Sequence, residues 1–215
     1  MKIFYDHEAF SIQEYGGVSR YFFEIISRLK KYNNCQPILS KIYSNNKYLL
    51  SMNGQFEDNF FNFEVKNLNT KILSYINNFF EKNVNCSVHH KTYYSNFYKQ
   101  KSPNIITIHD LIAEKYSSSY PSMRNDAYLK EQSIKNSNYI IAVSEKTKSE
   151  LINYYNVPED KISVIYHGGD YSYINNKNNN FNYPKKPYFL YIGKRFFYKN
   201  FNNLLKAFAI DKSLS

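Results

Sequence analysis

The chain has 215 residues, a formal net charge of +10, 23 tyrosines and no tryptophan. That length suffices for one full domain and part of another, and no apolar run approaches the roughly eighteen residues that a membrane-spanning helix needs. The positive charge invites a nucleic-acid reading, but the basic residues are scattered, and Lys, Asn, Tyr and Ile are over-used together; a nucleic-acid partner is therefore set aside.

Met1-Lys2 opens a very short apolar stretch that Asp6, His7 and Glu8 interrupt at once, which is not the pattern of a secretory leader. Cys35 and Cys86 have neither metal nor redox spacing and suit a reducing compartment. The expectation is a cytoplasmic protein. Its charge leaves room for a peripheral attachment to anionic headgroups at the inner face of the membrane.

In chain order, Lys2 to Tyr5 reads as a first strand, followed by a loop holding Gly16-Gly17. Val18, Phe22, Ile25, Ile26 and Leu29 then fall at helical spacing, with Arg20, Glu24 and Arg28 on the other side. Pro37 to Tyr43 reads as a second strand, 44 to 70 as loop with some strand near Phe60 to Val65, and Asn69 to Lys82 as a helix through Ile72, Ile76, Phe79 and Phe80. Asn104 to His109, Tyr139 to Val143 and Lys161 to Tyr166 are Ile- and Val-rich runs of the kind that form buried parallel strands. Helical stretches at Met123 to Asn136 and Glu145 to Tyr155 separate them, and Ser144 is placed to cap the second. Strands alternating with helices predict an α/β fold, a Rossmann-like doubly wound parallel sheet over residues 1–174. The Asn/Lys-rich segment 175–187, closed by Pro184 and Pro187, reads as a linker. Residues 188–215 read as one βα unit of a second domain, with a strand at Tyr188 to Ile192 and a helix at Asn200 to Ile210.

Five places carry candidate chemistry. Gly16-Gly17 lies just before a helix, whose free N–H groups and positive end suit phosphate; a tight turn is the plainer alternative. His109-Asp110 ends a strand, where open α/β sheets bind ligands. His109 there either polarises a sugar hydroxyl or is satisfied by neighbouring backbone, with Asp110 capping the next helix. His89-His90 lacks the further ligands that a metal needs and reads as a second cleft-facing strand end. His167-Gly168-Gly169-Asp170 reads as a turn between domains that allows for a place on a cleft floor. In Gly193 to Asn200 the cations Lys194, Arg195 and Lys199 lie between a strand end and a helix start, as a departing diphosphate requires.

The segments YGGVSRYFF from Tyr15, HHKTYY from His89, ITIHDL from Ile106, AVSEKTKSEL from Ala142, VIYHGGD from Val164 and YIGKRFFYKNF from Tyr191 are collinear over most of the chain. Their order resembles that of GT4-like glycosyltransferases. The resemblance implies a GT-B enzyme of two Rossmann-like domains. Such an enzyme transfers a sugar from a nucleotide-sugar donor to a glycan or lipid-linked acceptor, with retention and without a metal or other cofactor. It also implies that Gly16 and Gly17 approach the donor phosphates, that the His109-Asp110 pair lies at the reaction centre, and that Arg195 and Lys199 hold the diphosphate, with Lys194 competing for the role of Arg195. The family's Glu-x7-Glu element would follow beyond Ser215. The expectation is therefore a truncated second domain and a chain inactive by itself, or a non-catalytic glycan-binding half that needs a partner subunit. Donor, acceptor and oligomeric state are left open.

Overall fold

The computed structural model describes residues 1–39, 42–52, 62–63, 70–80, 84–94, 101–169, 184–185, 187–193, 195 and 197–210. Contacts divide the chain into two compact units, Met1–His167 and Gly168–Ser215. Most of the expected linker, and with it Asp170, lies outside the described residues, as does Lys194.

The first unit is built on a six-stranded sheet in the order β2-β1-β5-β6-β7-β8. The strands are β1 (Lys2–Tyr5), β2 (Gln36–Leu39), β5 (Val88–Lys91), β6 (Asn104–Ile108), β7 (Tyr139–Ala142) and β8 (Ile162–Val164). Every neighbouring pair is parallel, so all six carboxyl ends lie along one edge. Two short strands, β3 (Ile42–Tyr43) and β4 (Asn62–Phe63), pair separately. The helices are α1 (Glu8–Ile12), α2 (Gly17–Leu29), α3 (Lys47–Leu50), α4 (Thr70–Phe80), α5 (Ile112–Tyr116), α6 (Arg124–Lys135) and α7 (Glu145–Tyr155). The expected α/β parallel sheet is present.

Side-chain alternation in β6 explains the two layers of helices. Ile106 and Ile108 point into a cluster with Ile134 of α6 and Leu151 of α7, while Thr107 points the other way, to Tyr21 of α2. A second cluster gathers Tyr5, Phe10, Phe22, Ile26 and Leu39 around α1 and α2. Each such side chain removed fully from water stabilises the fold by roughly 1.5–3 kcal/mol. As expected, Ser144 caps α7, its hydroxyl accepting the Thr147 N–H at 3.1 Å.

Three local readings change. Pro37 to Tyr43 is not one strand: β2 joins the main sheet and β3 leaves it for β4. The helix at α4 forms, but Leu73 and Asn77 turn inward while Ile72, Tyr75 and Phe79 are exposed. Hydrogen bonding decides that face. The Asn77 side chain accepts the Tyr43 N–H at 2.8 Å and donates to the Tyr43 carbonyl at 2.8 Å, completing the backbone of β3 as a neighbouring strand would. His89 and His90 lie inside β5 and are buried, so they are not a cleft-facing strand end.

In the second unit α8 (Phe201–Ile210) forms as read. Tyr188 to Ile192 makes no strand pairing, there being no described strand beside it to share a ladder. This segment instead lies along α8, Phe189 against Phe208 and Tyr191 against Phe201. Gly193 has φ +130°, a region that side chains rarely adopt, and it turns the chain before Arg195.

Candidate active site

Two elements of the first unit bring polar groups to the carboxyl edge of the sheet. One is the start of α2. Gly16 is the residue before the helix, with φ −170°, an extended conformation open to any residue. Its missing side chain has a local reason: a Cβ there would lie 2.0 Å from Gln13 Oε1, which accepts the Ser19 N–H at 3.3 Å. Gly17 differs. A Cβ on Gly17 would meet nothing within 4 Å, so its first-turn backbone is bare on that side.

The other element is the end of β6. His109 follows Ile108 directly, and its Nε2 is buried with no hydrogen-bond partner among the described residues. The ring is enclosed by two others. Tyr21 meets it edge to face at 5.0 Å between centroids, and His167, just past β8, lies 5.4 Å away. Tyr21 also stacks on His167 at 5.0 Å and 24°. Burial pushes the His109 pKa down to about 4; His167 and Lys130 push the same way and Asp110 opposes them. His109 is thus a neutral imidazole with a free ring nitrogen, able to give or take a hydrogen bond.

A relay of hydroxyls fixes Tyr21. Its oxygen is 3.3 Å from Thr107 Oγ1, which is 2.9 Å from His90 Nε2. Burial holds the His90 pKa down to about 4 as well, although Asp6 pulls it up. The first turns of α2 and the end of β6 are therefore joined through Tyr21.

The switch point of the sheet, between β1 and β5, is occupied differently. Asp6 ends β1 there, and its carboxylate accepts from His89 Nε2 at 3.0 Å, the Glu8 N–H at 3.2 Å, the Thr92 N–H and the Thr92 hydroxyl. Burial would raise the Asp6 pKa, but His89 and Thr92 outweigh it and hold it at about 2. This carboxylate ties two strand ends together and has no capacity left for a ligand.

Asp110, named with His109 from the sequence, caps α5 by accepting the Ile112 N–H at 3.1 Å, and its side chain is half exposed. In the second unit Arg195 is exposed, its guanidinium 4.6 Å from the centre of the Phe201 ring, and Lys199 is exposed 5.1 Å from the Tyr198 ring. Both precede α8. Tyr21 and Thr107 were not among the residues expected from the sequence, whereas the turn at His167 was allowed a place on the cleft floor. The rule that strand ends line the crevice, applied to β6, holds equally for β8 and the turn that carries His167. Among the described residues no three His, Cys, Asp or Glu side chains converge as metal ligands, and no helix is long and apolar enough to cross a membrane.

Residues 78–173, which include β5 through β8 with His109 and His167, match the profile of Glycosyltransferase Family 4. Over these residues the chain is similar to family 4 glycosyltransferases. It is also 31% identical over 102 residues to the O-antigen chain mannosyltransferase RfbU of Salmonella typhimurium, a stretch covering 47% of this chain and 27% of that protein. The chain thus spans about a quarter of the length of that curated relative. Among solved structures it is similar to the UDP-GlcNAc 2-epimerase of Neisseria meningitidis, with a TM-score of 0.45, 16% identity, and coverage of 76% of this chain and 45% of that one. Gly16, Gly17, Arg195 and Lys199 fall outside the family match.

Proposed function

We propose that this chain serves a retaining glycosyltransferase that moves a sugar from a nucleotide-sugar donor to a glycan or lipid-linked acceptor in cell-surface polysaccharide synthesis. The observation that carries the reading is the Nε2 of His109, buried and without a hydrogen-bond partner among the described residues, beside α2 and within the family-matched segment. An orphaned buried polar atom is costly unless something else satisfies it, and a sugar hydroxyl or ring oxygen is of the right chemistry. A neutral imidazole can follow charge as it develops at the anomeric carbon without repelling it beforehand.

In this proposal the bare backbone of Gly17 takes a donor phosphate at the start of α2. Arg195 and Lys199 balance the charge that grows on the leaving diphosphate, so that no metal is required. The mannosyltransferase relative makes a mannosyl donor the first to test. The test is transfer from GDP-mannose and UDP-linked sugars to lipid-linked oligosaccharide acceptors. Lys199→Ala should cost about 2–4 kcal/mol of transition-state stabilisation. Unchanged turnover of that variant would remove Lys199 from the site.

One observation favours a second reading. Phe189, Leu190, Ile192, Leu205 and Ile210 are each more than half exposed, a concentration of apolar surface typical of an interaction face. A non-catalytic glycan-binding half that completes its site with a partner subunit would need such a face. Size-exclusion chromatography with candidate partners separates the readings: a stable complex that alone transfers sugar supports the second.

A further inference from the structure

A lysine is seldom buried unless it is paired. Lys130, on α6, is 3% exposed. Its Nζ donates to the Asp110 carbonyl at 2.8 Å and to Glu114 Oε2 at 3.0 Å; it lies 3.7 Å from Asp110 Oδ1 and 5.3 Å from the centre of the Tyr94 ring. The other oxygen of Glu114 accepts the Tyr155 hydroxyl at 2.7 Å. One buried cation thus joins α5, α6, α7 and the turn that follows β6 at Asp110.

If packing were the only requirement, an apolar side chain would fill this place without the cost of taking two charges out of water. An apolar side chain could not hold a carbonyl. Beyond Ile108, whose carbonyl takes the Val143 N–H at 3.4 Å, the chain leaves the ladder, and the Asp110 carbonyl needs a donor from elsewhere. Lys130 supplies it while the Asp110 carboxylate holds the Ile112 N–H. His109 is therefore anchored by the strand on one side and by Lys130 on the other.

We propose that Lys130 is a positioning residue: its bond to the Asp110 carbonyl keeps the His109 ring against Tyr21 and His167, with Nε2 turned toward the reacting sugar. The role in catalysis rests on the sugar-transfer reading, whereas the placement of the ring can be measured without it. Tyr21 from α2, His90 from β5, Tyr94 just after it with its hydroxyl on the His109 backbone, His167 after β8, and the adjoining Asp110 and Lys130 are titratable groups around His109 among the described residues. Burial is the main cause of the low His109 pKa and the Lys130 charge a smaller one acting the same way, so removing Lys130 should raise the midpoint of His109 by a modest amount.

The experiment is NMR of the chain labelled at histidine and tyrosine, comparing wild type with Lys130→Met and with Lys130→Met/Glu114→Gln. The double variant removes both charges and keeps the protein testable should the single one unfold around an uncompensated Glu114. The expected result is loss of the Tyr21–His109 ring NOE and an upward shift of the His109 titration, with the Tyr21–His167 NOE retained as the internal control. A variant that melts at lower temperature but keeps the Tyr21–His109 NOE and the His109 midpoint would overturn the proposal and leave Lys130 a structural staple. Neither readout needs a donor. Failure of the protein to transfer sugar would thus sink the functional reading without touching this one.

Discussion

Two adjacent strands carry histidines, and they use them in opposite ways. In β5, His89 and His90 face opposite sides of the sheet, and each is matched to a partner, Asp6 on one side and Thr107 on the other. At the end of β6, His109 is enclosed by rings yet has a nitrogen with no hydrogen-bond partner among the described residues. The first arrangement spends the polarity of the imidazole on joining strands; the second leaves it available. A histidine within a parallel strand must be satisfied by the fold, because no water reaches it, whereas one step past the strand it can await a substrate.

The sharpest way to break this contrast is at Asp6. Asp6→Ala leaves the buried His89 and the amides of Glu8 and Thr92 without their acceptor, and it should destabilise the protein by about 3–5 kcal/mol in urea unfolding. A loss below about 1 kcal/mol would mean that the β1–β5 clamp is not structural.

Acidification should come next in size. The pKa of His90 and that of His109 fall from 6.5 to about 4 on folding, so between these values the unfolded chain binds protons that the folded one refuses. Stability should therefore decline as pH drops from 6.5 to 4, with His90 alone contributing on the order of 3 kcal/mol. Asp6 acts lower: its contribution is complete above its ordinary value of 3.8 and is lost as pH falls through about 2. Unfolding midpoints that stay flat from pH 7 to pH 4 would contradict neutral burial of both histidines.

The smallest expected change in stability is at Gly17. The Cβ of Gly17→Ala enters open space and alanine is the better helix former, so stability should move by no more than about 0.5 kcal/mol. Donor binding should weaken all the same, since that space is where a phosphate would approach. A variant with unchanged donor affinity would return Gly17 to the role of a plain helix start.

The sheet was legible in the sequence where a short run of Ile marks a parallel strand, as in β6 and β7. β5 was harder to see because its strand is Val-His-His-Lys, whose histidines are buried with Asp6 and Thr107 answering them from elsewhere in the chain. The inward face of α4 was hidden for the same reason: Asn77 is drawn inside by the Tyr43 backbone, a partner that helical periodicity does not encode. α1, α3 and α5 each have five residues or fewer, too short for a periodic signal. At the site, His109 was readable from its position after an apolar strand. Tyr21 was not, because its importance lies in its contacts with His109 and His167, residues far from it in sequence.

The most direct measurement compares turnover in a sugar-transfer assay with melting temperature for His109→Ala and wild type. The account predicts a rate about 100-fold lower or worse, as for loss of a preorganised transition-state contact, at nearly unchanged melting temperature. Wild-type turnover in His109→Ala, or an activity that falls only in step with stability, would contradict it.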